Sequence, residues 1–383
     1  MSLGDFATLQ RGYDLPDHKR EDGPVPILGS FGITGRHSTA RVKSPGVTIG
    51  RSGSSFGVVS YSPVDFWPLN TALYVKDFHG NSARFAYYFF KQFDFSSFNS
   101  GSAQPSLNRN VVHPVKIRIP GRDEQILIAS FLGELDDRIE LLRQTNETLE
   151  AMARAIFKSW FVDFDPVRAK AEGREPEGMD AATAALFASE FQDSQLGPIP
   201  EGWSIKKFGD EAQLAYGKAL KAENRSDGTI RVMGSNGQIG WHDQKLVSGP
   251  GIVIGRKGNP GTVEWVQDDF FPIDTTFYVK TQGNACDLHY LHQALCRLNL
   301  PSLSADSAVP GLNRSAAYGA VMVLPPESLR SEFALLSVQI RKRIACNGEH
   351  SSTLAELRDI LLPRLISGKL RVPEAEAMLA EVG

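Results

Sequence analysis

The chain has 383 residues, 42% of them hydrophobic and 22% charged, with a net charge of −3. That is enough apolar material for two or more cored domains, and it excludes a largely disordered chain. The sequence opens without a basic-then-apolar leader, and no apolar run reaches the roughly 18 residues that span a bilayer, so a cytoplasmic protein without a membrane segment is expected.

Taken from the N-terminus, residues 1–122 carry a net charge of +6 and residues 123–165 a net −6. A basic lobe followed by an acidic stretch fits one surface for phosphates and another for protein, or simply two differently solvated surfaces. Short β-branched or aromatic runs between Gly, Pro, Ser and Asn turns predict strands at 46–51, 72–76 and 115–119, with one helix near 82–93. A long helix follows at 123–164. Ile128, Leu135, Leu142, Leu149 and Ile156 recur every seven residues, and Leu132, Ile139, Asn146, Ala153 and Trp160 fill the seam four residues later. Roughly 38 residues of such a helix run about 57 Å at about 1.5 Å per residue and cannot bury their stripe within one small lobe. Asn146 either pairs in one register or lies in a solvated layer. Residues 165–200, rich in Ala, Glu, Pro and Gly, read as a linker with a short helix at 180–191.

The remainder repeats what came before at an offset of 204 or 205 residues. Gly29-Ser30-x-Gly32-x-x-Gly35-x-His37 meets Gly234-Ser235-x-Gly237-x-x-Gly240-x-His242. Ile49-Gly50-Arg51-x-Gly53 meets Ile254-Gly255-Arg256-x-Gly258, and Leu107-Asn108-Arg109 meets Leu312-Asn313-Arg314. The second copy therefore predicts strands at 251–256, 276–280 and 320–324 and a helix near 288–298. Its own seam contains Phe333, Ile340, Asn347, Leu354 and Leu361, with Ser337, Ile344, Ser351, Arg358 and Leu365 between. Gly348 weakens that helix, and Pro363 is expected to kink or end it. The expected fold is α+β: two repeated globular lobes at 1–122 and 201–327, separated by two long antiparallel coiled-coil helices at 123–164 and 328–370, with a tail at 371–383.

Candidate functional residues follow from the repeat. Arg51 and Arg256 stand at the same strand-to-turn junction, where a guanidinium can clamp a phosphate, read guanine or pair with a carboxylate inside the domain. Lys257 follows Arg256. His37 and His242, beside Arg36 and Trp241, have no second ligand at metal spacing and read as surface or base-contacting loop residues. Asn108-Arg109 and Asn313-Arg314 follow Gln104-Pro105 and Val309-Pro310. Asn pairs with adenine and Arg with guanine, but Asn also closes turns, the role favoured here. Cys286, Cys296 and Cys346 lack Cys-x-x-Cys spacing and are expected in the core. No phosphate loop, no Asn/Asp-Pro-Pro-Tyr/Phe segment and no clustered nuclease carboxylates occur, so neither catalysis nor a cofactor or metal is expected in this chain.

Certain strings are more specific. They are Glu124-Gln125-Ile126, then Ala155-Ile156-Phe157-Lys158-Ser159-Trp160-Phe161-Val162-Asp163-Phe164-Asp165-Pro166, then Pro198-Ile199-Pro200-Glu201-Gly202-Trp203, and finally Leu361-Leu362-Pro363-Arg364-Leu365-Ile366-Ser367-Gly368-Lys369-Leu370. With the repeat and the paired heptads, they resemble the specificity subunits of type I restriction–modification systems over nearly the whole chain. The resemblance implies that each lobe reads one half of a split double-stranded DNA target, while the helices set the separation and dock methyltransferase subunits, two in number. Those partners use S-adenosylmethionine, and a restriction and motor subunit adds ATP- and Mg2+-dependent work. The position equivalent to Trp203 would precede Met1, so the first lobe is expected to be completed by the C-terminal tail or slightly truncated. The rival readings are a coiled-coil adaptor that does not read DNA and an independent DNA-binding regulator.

Overall fold

A computed structural model describes residues 1–99, 105–281, 287–305 and 311–382. Gln104, Cys286, Val309 and Pro310 lie outside them. Contacts divide the chain into two compact units, Met1–Leu142 with Glu349–Gly383, and Arg143–Gly348.

The first unit is built on an antiparallel four-stranded sheet in the order Thr8–Arg11, Ala72–Asp77, Gly46–Gly50, Val59–Ser62. Beside it lies a three-stranded sheet of Gly32–His37, Val25–Gly29 and Trp67–Pro68. The helix Ala83–Gln92 is capped by Ser82 and buries Phe85, Tyr88, Phe89 and Phe90. Those side chains share one core with Leu3, Phe6, Val47 and Ile49. The same core takes in Ile128, Leu132 and Leu135 from the first long helix, and Leu361, Leu362, Leu365, Leu370, Val372 and Ala375 from the C-terminal part of the chain. Leu142 is buried, and Ile139 and Leu354 are half-buried. Residues of the C-terminal tail thus help to complete the first lobe's core.

The second unit repeats the sheets in the same order: Ala212–Tyr216, Thr276–Thr281, Gly251–Gly255, Val263–Val266, and beside them Gly237–His242, Ile230–Gly234, Phe270–Pro272. Its helix is Asp287–Arg297. Ser204–Lys207 pairs with Val321–Leu324. The expected strand at 115–119 has no such ladder among the described residues; Ser2, just before the helix Leu3–Phe6 that the second copy matches with Phe208–Glu211, bridges Lys116.

The first long helix spans Arg122–Lys158 and widens into a π-helical turn at Ser159–Asp163. The second spans Glu327–Ile366, unbroken at Gly348 and continuing three residues past Pro363, which therefore does not end it. In the second unit the two run antiparallel: Asn146 bonds Asn347 and the Ile344 carbonyl, while Phe157 and Trp160 pack on Phe333. Leu149, Ile156, Ile340 and Ile344 are half-buried there. The linker helix is only Ala181–Ala185. Cys296 and Cys346 are exposed, not core. Among the described residues no helix is long and apolar enough to cross a membrane.

Gln125, 1% exposed, anchors the first long helix to its lobe. Its Oε1 accepts the Ser82 amide at 3.1 Å, and its Nε2 donates to Asn81 Oδ1 at 2.9 Å and to the Pro120 carbonyl at 3.0 Å. At the equivalent place in the second unit Arg330 pairs with Asp287. The buried Gln125 amide is tolerated because both its oxygen and its nitrogen find partners.

Candidate nucleic-acid interface

In each unit the four-stranded sheet ends in a shelf made by the same local steps. Gly46–Gly50 runs into Arg51, whose carbonyl accepts the Leu107 amide at 2.8 Å. Asn108 then caps the short helix Arg109–Val112, its side chain accepting the Asn110 amide at 3.0 Å. In the second unit the Arg256 carbonyl accepts the Leu312 amide at 2.9 Å, and Asn313 caps Arg314–Gly319 through the Ala316 amide at 3.1 Å. Both asparagines thus take the local role, with a cap contributing about 1 kcal/mol. Arg109 and Arg314 are left exposed at the helix starts.

The Arg51 and Arg256 guanidinium groups turn onto main-chain carbonyls of the neighbouring turn. Arg51 donates to Asn70 O at 3.3 Å, and Arg256 donates to Asp274 O at 3.1 and 2.7 Å. The carboxylate pairing weighed for them does not form, because a carbonyl of the turn is nearer at hand. Lys257 is exposed on the same turn.

The fold adds two residues to this shelf, Arg11 and Tyr216, each ending the first strand of its four-stranded sheet. Arg11 and Arg109, with Gln10, Gly12, Tyr13 and Asp14, line an open cleft of about 480 Å³. In the second unit Arg256 and Arg314 both lie over the Tyr216 ring, 5.3 and 5.2 Å from its centre. Cation–π contact holds two like charges near one exposed ring. The signal for this pair was present in the sequence, since Arg11 and Tyr216 immediately precede the matched Gly12 and Gly217. Beneath each shelf one side chain satisfies a strand amide: His113 Nε2 accepts from Leu9 at 3.0 Å, and Tyr318 accepts from Leu214 at 2.9 Å. Burial, then the charge of Arg109, holds the His113 pKa below its ordinary value, which keeps the ring neutral and able to accept.

Arg36 and Trp241 are exposed on the hairpins. His37 and His242 are not surface residues, since they are only 5% and 7% exposed. Each accepts a loop amide through Nδ1, from Glu21 at 3.1 Å and from Ser226 at 3.2 Å, and packs edge-on against Trp67 or Phe271. The reason is that an amide withdrawn from water needs an acceptor, and the imidazole supplies one. Among the described residues no three His, Cys, Asp or Glu side chains are placed to hold a metal.

Residues 1–151 match the type I restriction modification DNA specificity domain. Over 70% of its length the chain is 26% identical to the HindI specificity subunit of Haemophilus influenzae, covering 71% of that protein. It is also 26% identical to the MjaIX specificity subunit of Methanocaldococcus jannaschii, with 77% of this chain and 71% of the relative covered. The chain is thus similar to the specificity subunits of type I restriction enzymes. Its fold is similar to that of the type I S subunit from M. genitalium, with a TM-score of 0.60 at 17% identity and coverage of 96% and 95%. At that identity the structural likeness is one of fold. The two arginine shelves are features of this chain's own residues.

Proposed function

We propose that this chain reads double-stranded DNA for a type I restriction–modification enzyme, each lobe holding one half of a bipartite target. The observation that carries the reading is the recurrence of an arginine shelf at matched positions, with Arg11, Arg51 and Arg109 in one unit and Tyr216, Arg256 and Arg314 in the other. Arginine suits the task because its planar fork grips phosphate or guanine and its charge is permanent. The near-neutral second lobe, at −1 over residues 201–327, is compatible with partners supplying much of the phosphate grip.

The long helices serve in this reading to set the distance between half-sites and to dock two methyltransferase subunits. Apolar side chains left exposed on them supply docking surfaces: Ile126, Leu127, Leu141 and Ile360 in the first unit, and Met152, Leu335 and Leu336 in the second. Catalysis belongs to the partners, with S-adenosylmethionine on the methyltransferases and ATP with Mg2+ on the restriction subunit, all in the cytoplasm.

The test is a gel shift of the chain with and without its co-expressed methyltransferase. A specificity subunit shifts its target tightly only in the complex. An adaptor never shifts it, and an independent regulator shifts it alone. The spacing role is tested by deleting Gln144 to Glu150 together with the antiparallel counterpart, Arg343 to Glu349. The unread gap in the methylated target should shorten by about three base pairs, since seven residues span about 10 Å and a base pair about 3.4 Å.

A further inference from the structure

Each unit carries a second matched surface, a hairpin closed by a two-residue turn. Val25–Gly29 pairs with Gly32–His37, and Ile230–Gly234 with Gly237–His242, with a bulge at the same place in both. The frame Gly-Ser-x-Gly-x-x-Gly-x-His occupies 29–37 and 234–242, and its constant residues have structural work. Gly32 and Gly237 take φ of +112° and +93°, where a side chain is strained. The Ser30 carbonyl lies against Gly50, where a Cβ would come within 2.3 Å of its oxygen, and the Ser235 carbonyl accepts from Thr262 Oγ1 at 2.9 Å. His37 and His242 tie the far end of each hairpin to a buried loop amide. Arg225 donates to the Ile239 carbonyl at 2.8 Å, and its counterpart Arg20 lies against Gly35. These hairpins are buttressed ribbons.

Within that constant frame, the residues at the tip differ between copies and face solvent. Phe31 is 65% and Ile33 60% exposed. The second copy has Asn236 and Gln238 there, both exposed, with Gln238 making only a 3.4 Å contact to the Gly240 carbonyl. Two large apolar side chains held in water at the tip of a braced ribbon that carries exposed Arg36 toward its other end fit a partner that is polyanionic outside and carries apolar groups within. Duplex DNA is such a partner. A two-stranded ribbon fits the major groove, about 12 Å wide, and not the minor groove, about 6 Å wide. In the major groove thymine alone presents a methyl group, while adenine presents the N6–H and N7 pair that an Asn or Gln amide matches.

We propose that the two hairpin tips are base-reading elements, with Phe31 and Ile33 sensing thymine methyl groups in one half-site and Asn236 and Gln238 pairing with adenines in the other. This rests on the DNA-reading function above and names the residues that carry it. The test begins with the methylated target, read from the methylome of a host carrying this chain and its methyltransferase. Duplexes of that target are bound to the purified complex with single thymines replaced by uracil, which lacks the methyl, or single adenines by 7-deazaadenine, which lacks N7. Expected is a loss of about tenfold at one or two positions of each kind, one kind in each half-site. Phe31→Ala with Ile33→Ala removes the uracil penalty and keeps the deazaadenine penalty; Asn236→Ala with Gln238→Ala does the reverse. Each variant is scored as a ratio of modified to unmodified duplex, so partial misfolding cancels. Wild-type penalties below twofold everywhere, or penalties that survive the matching variant, overturn the proposal. A wild-type complex that does not prefer its target over unrelated DNA instead overturns the DNA-reading function itself.

Discussion

Asn347 donates from Nδ2 to Asn146 Oδ1 at 2.8 Å, and Asn146 donates in turn to the Ile344 carbonyl at 3.2 Å. With Asn347 only 1% exposed, this amide pair sits as a polar layer between the antiparallel helices of the second unit. It decides the two readings left open for Asn146 in favour of pairing. Removing one partner strands the other, so Asn347→Ala is expected to cost about 1 to 3 kcal/mol in urea unfolding. Replacing both by Leu is expected to restore most of that stability while loosening register. Equal losses in the single and double variants would count against the paired layer.

In the first unit Arg358 donates to Asp136 Oδ1 at 2.7 Å, while the Tyr88 hydroxyl donates to Asp136 Oδ2 at 2.6 Å. Desolvation, and then Asp136 itself, raises the Tyr88 pKa and keeps the hydroxyl protonated as a donor. Arg358→Met leaves the carboxylate with half its partners, and a loss of about 2 kcal/mol is expected because the pair is largely but not wholly withdrawn from water. Tyr88→Phe in the same background should then cost less than it does alone, which a double-mutant cycle measures.

The second unit should be acid-sensitive. Arg341 stacks over Trp265 at 3.8 Å and donates to His292 Nδ1 at 3.0 Å, and His289 packs on the same indole at 4.6 Å. Burial, then the Arg341 charge, pushes His289 down to about 4 and His292 down to about 3. A histidine whose pKa is lower folded than unfolded binds its proton more readily when unfolded. Its contribution is therefore complete above the unfolded value near 6.5 and is lost as pH falls toward about 4. Urea midpoints should drop over that window for the wild type and less for a variant with both His289→Gln and His292→Gln. Identical slopes would refute the account.

Phosphate contacts leave a salt signature. If Arg109 and Arg314 each neutralise a phosphate, Arg109→Ala and Arg314→Ala should each lower the slope of log affinity against log salt by about 0.9. Such variants should weaken specific and unrelated duplexes alike, because phosphates carry no sequence. Anisotropy titrations of the methyltransferase complex at several salt concentrations provide the check. A loss confined to the cognate target would assign these arginines to bases.

The repeat and the heptads made the two copies, the long helices and most strand positions legible, because periodicity and internal identity survive without tertiary information. Local signals misled where tertiary partners decide. Residues 115–119 read as a strand but have only a bridge to Ser2 to pair with. His37 and His242 read as loop residues because nothing in their neighbourhood announces a buried amide in need of an acceptor. Gln125 was quoted within a string, yet its three bonds to the lobe depend on residues 81, 82 and 120 coming together. Phe31 and Ile33 attract no notice in a sequence, since only exposure separates them from core residues.

The first unit draws its core from two distant segments, with Leu3 and Phe6 sharing it with Leu370, Val372 and Ala375, whereas the second is one uninterrupted stretch. On the ribosome the order of synthesis and the order of completion must therefore part company. Residues 143–348 yield a unit that can close while translation proceeds, but residues 3–135 wait, their apolar face unfilled, until residues 361–375 have emerged. A chain stopped before residue 361 would then lack part of the core that residues 3–135 need.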